Sequence, residues 1–311
     1  MSPLASRAEE YLRLRRALGH KLDDAHRLLP RFVDFLDAAG IQAITVEAAL
    51  AWAQRPDADP ATTVWARRMT VARGFACHMA GIDPATQIPP VGLISYRQRW
   101  RPPFVYSTAD IAALMVQTQA GNPIRSLFRA ATVQTLIGLL AATGMRVGEA
   151  IALARADIDW ADGVLVVRDA KFGKSRQVPL HASTIDALAA YAVVRDRHQA
   201  RPETATFFVS NVGRRLIYAD LQDTFRSLVT AAGVGAGAQL RPRLHDLRHS
   251  FAVATLLDWY RTGEDVQARL PRLATYLGHR DPRSTYWYLS AAPELLALAA
   301  DRLQALQEVQ P

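Results

Sequence analysis

Apolar residues recur at helical spacing through the first ninety positions. Tyr11, Leu12 and Leu18 belong to a first helix, which Gly19 interrupts. Leu28, Leu29, Phe32, Val33 and Leu36 then lie on one helical face until Ala39-Gly40 ends the run. Thr45 is placed to cap a third helix through Trp52, since its hydroxyl can accept from a first-turn amide that has no intrahelical partner. A fourth segment, from about Thr62 to Ala80, puts Trp65, Met69 and Phe75 on an apolar side with Arg67, Arg68 and Arg73 between them. That pattern predicts an exposed basic face, either simply solvated or set against phosphates.

The pattern changes at Asp83. Between there and Pro103 come Pro84, Pro89, Pro90, Pro102 and Pro103, with the basic run Tyr96-Arg-Gln-Arg-Trp-Arg101. Proline restricts the backbone and removes a donor, which disfavours a helix. Residues 91–103 are therefore expected to link a helical domain, 1–90, to a second domain, 104–311. Arg97, Arg99 and Arg101 could lie along a phosphate backbone or serve only to keep the linker solvated.

The second domain reads as mixed. Thr108 can cap a helix that begins near Asp110, and Arg125 to Ala142 makes a long apolar helix broken by Gly144. Arg146 then starts a helix to Ala154. Gly163 to Val167 is a strand, with Gln177 to Leu180 as its hairpin partner and Gly173 in the turn. Helices follow over Ser183–Gln199, Ala219–Ala232 and His245–Trp259, with a short strand over Thr206–Ser210 and a Gly-rich loop at Gly233–Gly237. Short helices carry the chain through Tyr288, and Pro293 starts an amphipathic helix to about Gln307. The expected class is mainly α with a small antiparallel β-sheet.

Composition narrows the partner. A chain of 311 residues exceeds what one core usually organises, and a net charge of +8 with a pI near 10.0 suits a polyanion such as nucleic acid. The sequence contains no long uninterrupted apolar run, and its first residues lack an apolar signal core, so no membrane association and a cytoplasmic location are expected. Cys77 is the only cysteine, which excludes an intrachain disulfide. Of 37 Lys and Arg residues only three are lysine, Lys21, Lys171 and Lys174, and two of these share the segment AKFGKSR. A lysine among arginines can be kept because its pKa can shift far enough to release a proton.

Six residues of the second domain form a coherent phosphate-handling set: Arg146, Lys171, His245, Arg248, His279 and Tyr288. Arginine forks grip a phosphate diester bidentately, and a tyrosine can attack phosphorus and hold it covalently. Singly each is ordinary. Arg146 could simply pair with Glu149, and Tyr288 sits in an aromatic cluster with Tyr286 and Trp287. A metal reading of His245 and His249, spaced four apart like a zinc HExxH helix, fails on three counts. The acid is Asp, no third ligand follows, and Arg248 beside the pair would repel a cation.

Taken in order, the segments ATGMRVGEAIALARADID, AKFGKSRQVPL, HDLRHSFA and LGHRDPRSTYWYLS resemble the motif regions of the tyrosine recombinase, or phage-type integrase, family. The likeness spans roughly 105 to 290. It implies a helical core-binding (SAM-like) DNA-binding domain followed by a mixed α+β catalytic domain, acting on double-stranded DNA with no metal and no cofactor. It also implies roles. Arg146 and Arg248 would clamp the scissile phosphate and His279 would donate to it. Tyr288 would attack, leaving a 3′-phosphotyrosine; Lys171 would protonate the departing 5′ oxygen, and His245 would accept the tyrosine proton. Lys174 would contact backbone phosphate. Tyr286 and Tyr288 lie about 200° apart on a helix, so only one can face the phosphate, and the family's His-to-Tyr interval favours Tyr288. A homotetramer on two DNA sites, or assembly with related recombinase subunits, is implied as well. Leu295, Leu296, Leu298, Leu303 and Leu306 form an apolar stripe beyond the nucleophile that would dock on a neighbouring subunit or pack on its own domain. Type IB topoisomerase chemistry and a non-catalytic accessory role are the alternatives.

Overall fold

Ser2 opens the first helix, α1 (Pro3–Ala17), accepting from the Ala5 amide at 3.1 Å, while Pro3 at the first helical position lacks only an N–H that would have had no partner. The computed structural model describes residues 2–20, 22–59, 61–94, 102–121, 124, 126–168, 175–279, 281, 283–290 and 294–298. The chain divides into two compact units, Met1–Trp100 and Arg101–Pro311.

In the first unit α1 is followed by α2 (Asp23–Ala38), α3 (Val46–Ala53) and α4 (Val64–Met79). Thr45 caps α3 as expected, its hydroxyl accepting from Ala48 N at 3.1 Å. The helices close on a core around Leu29, Phe32, Leu36, Trp52 and Phe75. Chain beyond α4 returns to this core: Gln87 donates from its amide to Ile44 O at 2.7 Å and accepts from Val46 N at 3.1 Å. The expected basic face of α4 needs correcting at Arg68. That side chain is buried over the Trp52 ring, and both its terminal nitrogens donate to the Asp57 carboxylate, at 2.9 and 2.8 Å. A guanidinium so paired belongs to the fold, not to a solvated face. Arg67 is exposed but bonded to Asp24, and Arg73 is half-buried.

In the second unit α5 (Thr108–Gln119) is capped by Ser107 rather than by the expected Thr108. The Ser107 hydroxyl accepts from Asp110 N while the Asp110 carboxylate accepts from Ser107 N, a reciprocal capping box. The axis of this unit is α6 (Leu127–Thr143), whose Leu136, Ile137, Leu139 and Leu140 are buried. α5, α8 (Ala182–His198) and α10 (Asp246–Arg261) pack on it. α7 (Val147–Ala152) is shorter than the expected Arg146–Ala154 helix, because Leu153 turns extended and its carbonyl accepts from Phe207 N at 2.7 Å.

Three strands form an antiparallel sheet in the order β1 (Ile158–Asp159), β2 (Val164–Val167), β3 (Arg176–Pro179), with Leu165 opposite Val178 and Val167 opposite Arg176. The short β1 was not legible in the pattern, and Gly173 lies outside the described residues. Thr206–Ser210 is not a strand. It makes only isolated bridges, Ala154 to Thr206 and Val209 to Arg215, and its apolar run Phe207-Phe208-Val209 is buried throughout, filling core without forming a ladder.

α9 (Tyr218–Ala231) completes the larger core. α10, α11 (Val266–Leu277), α12 (Arg283–Tyr286) and a 3₁₀ turn, Trp287–Ser290, enclose a second one containing Val253, Leu256, Leu273, Leu277 and Tyr288. Leu295 is buried in that core while Leu296 is exposed; Leu303 and Leu306 lie outside the described residues. Among the described residues no helix is long and apolar enough to cross a membrane.

Candidate active site

Two helix ends build this site. The last carbonyls of a helix have no intrahelical donor and carry the negative end of its dipole, so they attract cationic donors. α6 ends at Gly144, in the left-handed region at φ 59, and α11 ends at Gly278, at φ 70. Arg248, in the first turn of α10, is buried and spans both ends: Nη1 donates to Gly144 O at 2.8 Å and Nη2 to Leu277 O at 2.7 Å. Arg146, at the N-cap of α7, reaches the same turn, with Nη2 donating to Gly278 O at 2.9 Å. Glycine is required at both helix ends. A Cβ on Gly144 would sit 2.4 Å from Phe251 Cδ1, and one on Gly278 would sit 2.8 Å from Arg176 Nη1.

Glu149 completes the Arg146 setting. It accepts from the Arg146 amide at 2.9 Å and from Arg146 Nη1 at 2.7 Å, and it also receives both terminal nitrogens of Arg176, at 3.1 and 2.7 Å. Burial would raise the Glu149 carboxyl, but hydrogen bonds from Arg176 and from the Arg146 amide outweigh it and hold the pKa at about 2. Burial lowers Arg248 to about 10, which leaves it charged at neutral pH.

His279 follows Gly278 directly. Its Nδ1 lies 2.7 Å from the hydroxyl of the buried Thr285, and its ring stacks on Tyr288 at 6.0 Å and 18°. Burial, then Arg248 and Arg146, lowers its pKa to about 4, so the imidazole is neutral. Tyr288 is 2% exposed on the 3₁₀ turn, whereas Tyr286, on α12, is 49% exposed. Burial raises the Tyr288 pKa, and the charges of Arg248 and Arg146 oppose that rise.

His245 is lowered by desolvation and then by Arg248, which favours a neutral ring. Besides His279, the imidazole against Tyr288 is that of His249, whose centroid lies 5.5 Å from the Tyr288 ring and 5.1 Å from that of His245. His249 is lowered to about 3, chiefly by burial, and its Nδ1 is buried without a hydrogen-bond partner among the described residues.

The structure thus gathers Arg146, Arg248, His279 and Tyr288 around the ends of α6 and α11, with His245 joined to them through His249. Lys171, Lys174, Arg97, Arg99 and Arg101 lie outside the described residues. Sequence reasoning passed over Arg176, Thr285 and the dual role of Glu149. The Arg146–Glu149 pair was visible as a bland alternative; that Glu149 also serves a second arginine from β3, 27 positions on, had no local signal. Among the described residues no cluster of three or more His, Cys, Asp or Glu is placed to hold a metal ion.

This constellation on a mainly helical fold with a small sheet defines the tyrosine recombinase class. The phage integrase family model matches residues 110–294, more than half of the sequence, and the chain belongs to that family. A Sinorhizobium fredii protein named as an integrase/recombinase, y4rB, is 43% identical over 309 residues, 98% of each chain. The tyrosine recombinase XerC of Azotobacter vinelandii is 30% identical over 238 residues, 76% of this chain and 72% of that one. Among solved structures, the Tn1549 transposon integrase in complex with transposon right end DNA aligns with a TM-score of 0.63 at 16% identity, over 97% of this chain and 99% of that one. The XerH site-specific recombinase bound to a palindromic difH substrate aligns at 0.58 and 20%, over 83% and 71%. These two likenesses concern the fold.

Proposed function

We propose that this chain cuts and rejoins double-stranded DNA at specific sites through a 3′-phosphotyrosine on Tyr288, using neither metal nor nucleotide cofactor. The observation that carries the reading is the suspension of Arg146 and Arg248 from two helix ends beside the stacked His279–Tyr288 pair. Negative charge grows on the non-bridging oxygens as phosphorus becomes pentacoordinate, and cationic donors fixed there stabilise it without reorganising. Because carbonyls hold Arg248, its charge is not cancelled by a carboxylate. In this reading the Thr285 hydroxyl, 2.7 Å from Nδ1, donates to it and leaves the His279 ring proton on Nε2, so that a neutral imidazole still donates to the phosphate.

The Tyr288 oxygen attacks phosphorus and its proton passes to His245. The bond to the 5′ oxygen breaks, and Lys171 supplies the proton that the leaving alkoxide needs. Since Tyr288 is 2% exposed, the turn Trp287–Ser290 must carry its hydroxyl outward to meet the phosphate. A 5′-hydroxyl from a second duplex then reverses the step, which conserves the bond energy. Exchange of strands between two sites needs several copies, and a tetramer supplies one tyrosine per strand. Arg73, Arg97, Arg99, Arg101 and Lys174 are assigned to the DNA backbone, and the reaction places the protein in the cytoplasm with its DNA.

The test uses nicked duplexes selected for binding from a random-sequence pool, incubated with the protein in EDTA and without nucleotide. A covalent protein–DNA complex with a kinase-labelled free 5′-hydroxyl is expected. Cleavage that requires a divalent cation, or that leaves a 5′-phosphate, would contradict the proposal.

A further inference from the structure

We infer that Arg176 is a positioning residue for strand cleavage: it holds and neutralises Glu149, so that Glu149 orients Arg146 without cancelling the charge that Arg146 offers to the phosphate. This deepens the recombinase reading and rests on it.

The contacts form a closed ring. Glu149 grips the amide and Nη1 of Arg146, Arg176 grips both oxygens of Glu149, and Arg176 Nε donates to Tyr276 O at 2.8 Å, two residues before the Gly278 carbonyl that receives Arg146 Nη2. Four elements meet there: the start of α7, the first residue of β3, the last turn of α11 and the glycine that leads to His279. Exposure separates the roles. The Arg146 side chain is 27% exposed, whereas those of Glu149 and Arg176 are 8% and 10% exposed. Arg146 alone of the three can reach an incoming phosphate, so Arg176 acts through Glu149.

Electrostatics explains why a second arginine is needed. A buried carboxylate gives Arg146 a fixed direction, but as a lone partner it would neutralise the cation meant for the transition state. Two guanidinium charges against one carboxylate leave one net positive charge, and it lies at the exposed end of the ring. The close fit of Gly278 against Arg176 keeps the ring tight, since any Cβ at 278 would collide with the guanidinium.

The experiment measures cleavage rate at saturating DNA separately from Kd, using the full chain on the nicked duplex described above. Arg176→Met should slow the saturated rate about a hundredfold, the scale of a misplaced catalytic group, while Kd changes by less than about threefold. In a Glu149→Gln background no carboxylate remains to be neutralised. There the same Arg176→Met change should cost less than about threefold. A wild-type rate for Arg176→Met, or a further large loss when it is added to Glu149→Gln, would overturn the inference. The second comparison decides the matter even if Arg176→Met alone fails to fold. If instead the wild-type protein binds the duplex and forms no covalent complex, the recombinase reading itself has failed.

Discussion

Carbonyl partners decide what Arg248 can do. A buried arginine paired with a carboxylate is electrically spent; one held by Gly144 O and Leu277 O keeps its charge while losing its freedom of movement. Lysine cannot reproduce this, because a point ammonium on a flexible stem cannot span two carbonyls and still face a phosphate. Arg248→Lys is therefore expected to slow single-turnover cleavage about a hundredfold or more, the usual scale for losing a fixed transition-state donor. A rate near wild type would show that charge alone suffices. Thr285→Val makes a subtler test, since valine fills the buried site but removes the hydroxyl that lies 2.7 Å from His279 Nδ1. Its thermal midpoint should stay near the wild-type value while cleavage slows roughly tenfold, the scale of losing a residue that fixes a histidine tautomer. Equal rates would mean that the tautomer is set elsewhere. At this scale the sequence singled out Arg146, Arg248, His279 and Tyr288, which the fold brings together, because their chemistry is unusual in combination. It concealed Thr285 and Arg176, whose importance comes only from what they touch across the fold.

At the scale of elements, most helices were legible because their caps and apolar spacing agree. Ser107, Ser126, Thr45 and Asp265 each accept from an amide in the first turn. The misreadings have physical causes: β1 is two residues long, and the Phe207-Phe208-Val209 run is buried with only isolated bridges. Gly144 shows how an element end builds the candidate site, because its φ of 59 ends α6 where its carbonyl meets Arg248. Gly144→Ala combines a left-handed backbone with a collision at Phe251, so a loss on the order of 3 kcal/mol is expected in urea unfolding. A change below about 0.5 kcal/mol, the ordinary range for surface substitutions, would contradict this account.

For the whole molecule, charge and burial set two responses. With a net charge of +8, DNA affinity should fall on the order of a thousandfold between roughly 50 and 200 mM salt, as counterions compete for the phosphates. A salt-independent Kd would argue against backbone contacts. Stability should respond to acid. His249 and His279 titrate at about 3 and about 4 in the folded protein against 6.5 when unperturbed, chiefly through burial, and Glu149 titrates at about 2 against 4.5. All three folded values are depressed, so the unfolded chain takes up protons first. Their contribution is complete above about pH 6.5 for the histidines and 4.5 for Glu149, and is lost as pH falls through the folded values. The urea midpoint should therefore fall steadily below pH 6.5, and His249→Phe should flatten the upper part of that fall. A midpoint unchanged between neutral pH and about pH 4 would refute the buried neutral histidines.

The central claim, that Tyr288 and not its exposed neighbour Tyr286 takes up the DNA, is open to direct observation. The covalent complex can be trapped on a nicked duplex, digested with nuclease and protease, and the nucleotide-bearing peptide sequenced by mass spectrometry. The added nucleotide phosphate is predicted on Tyr288, with Tyr288→Phe yielding no complex and Tyr286→Phe yielding it normally. A nucleotide on Tyr286, or a complex that survives Tyr288→Phe, would contradict the account.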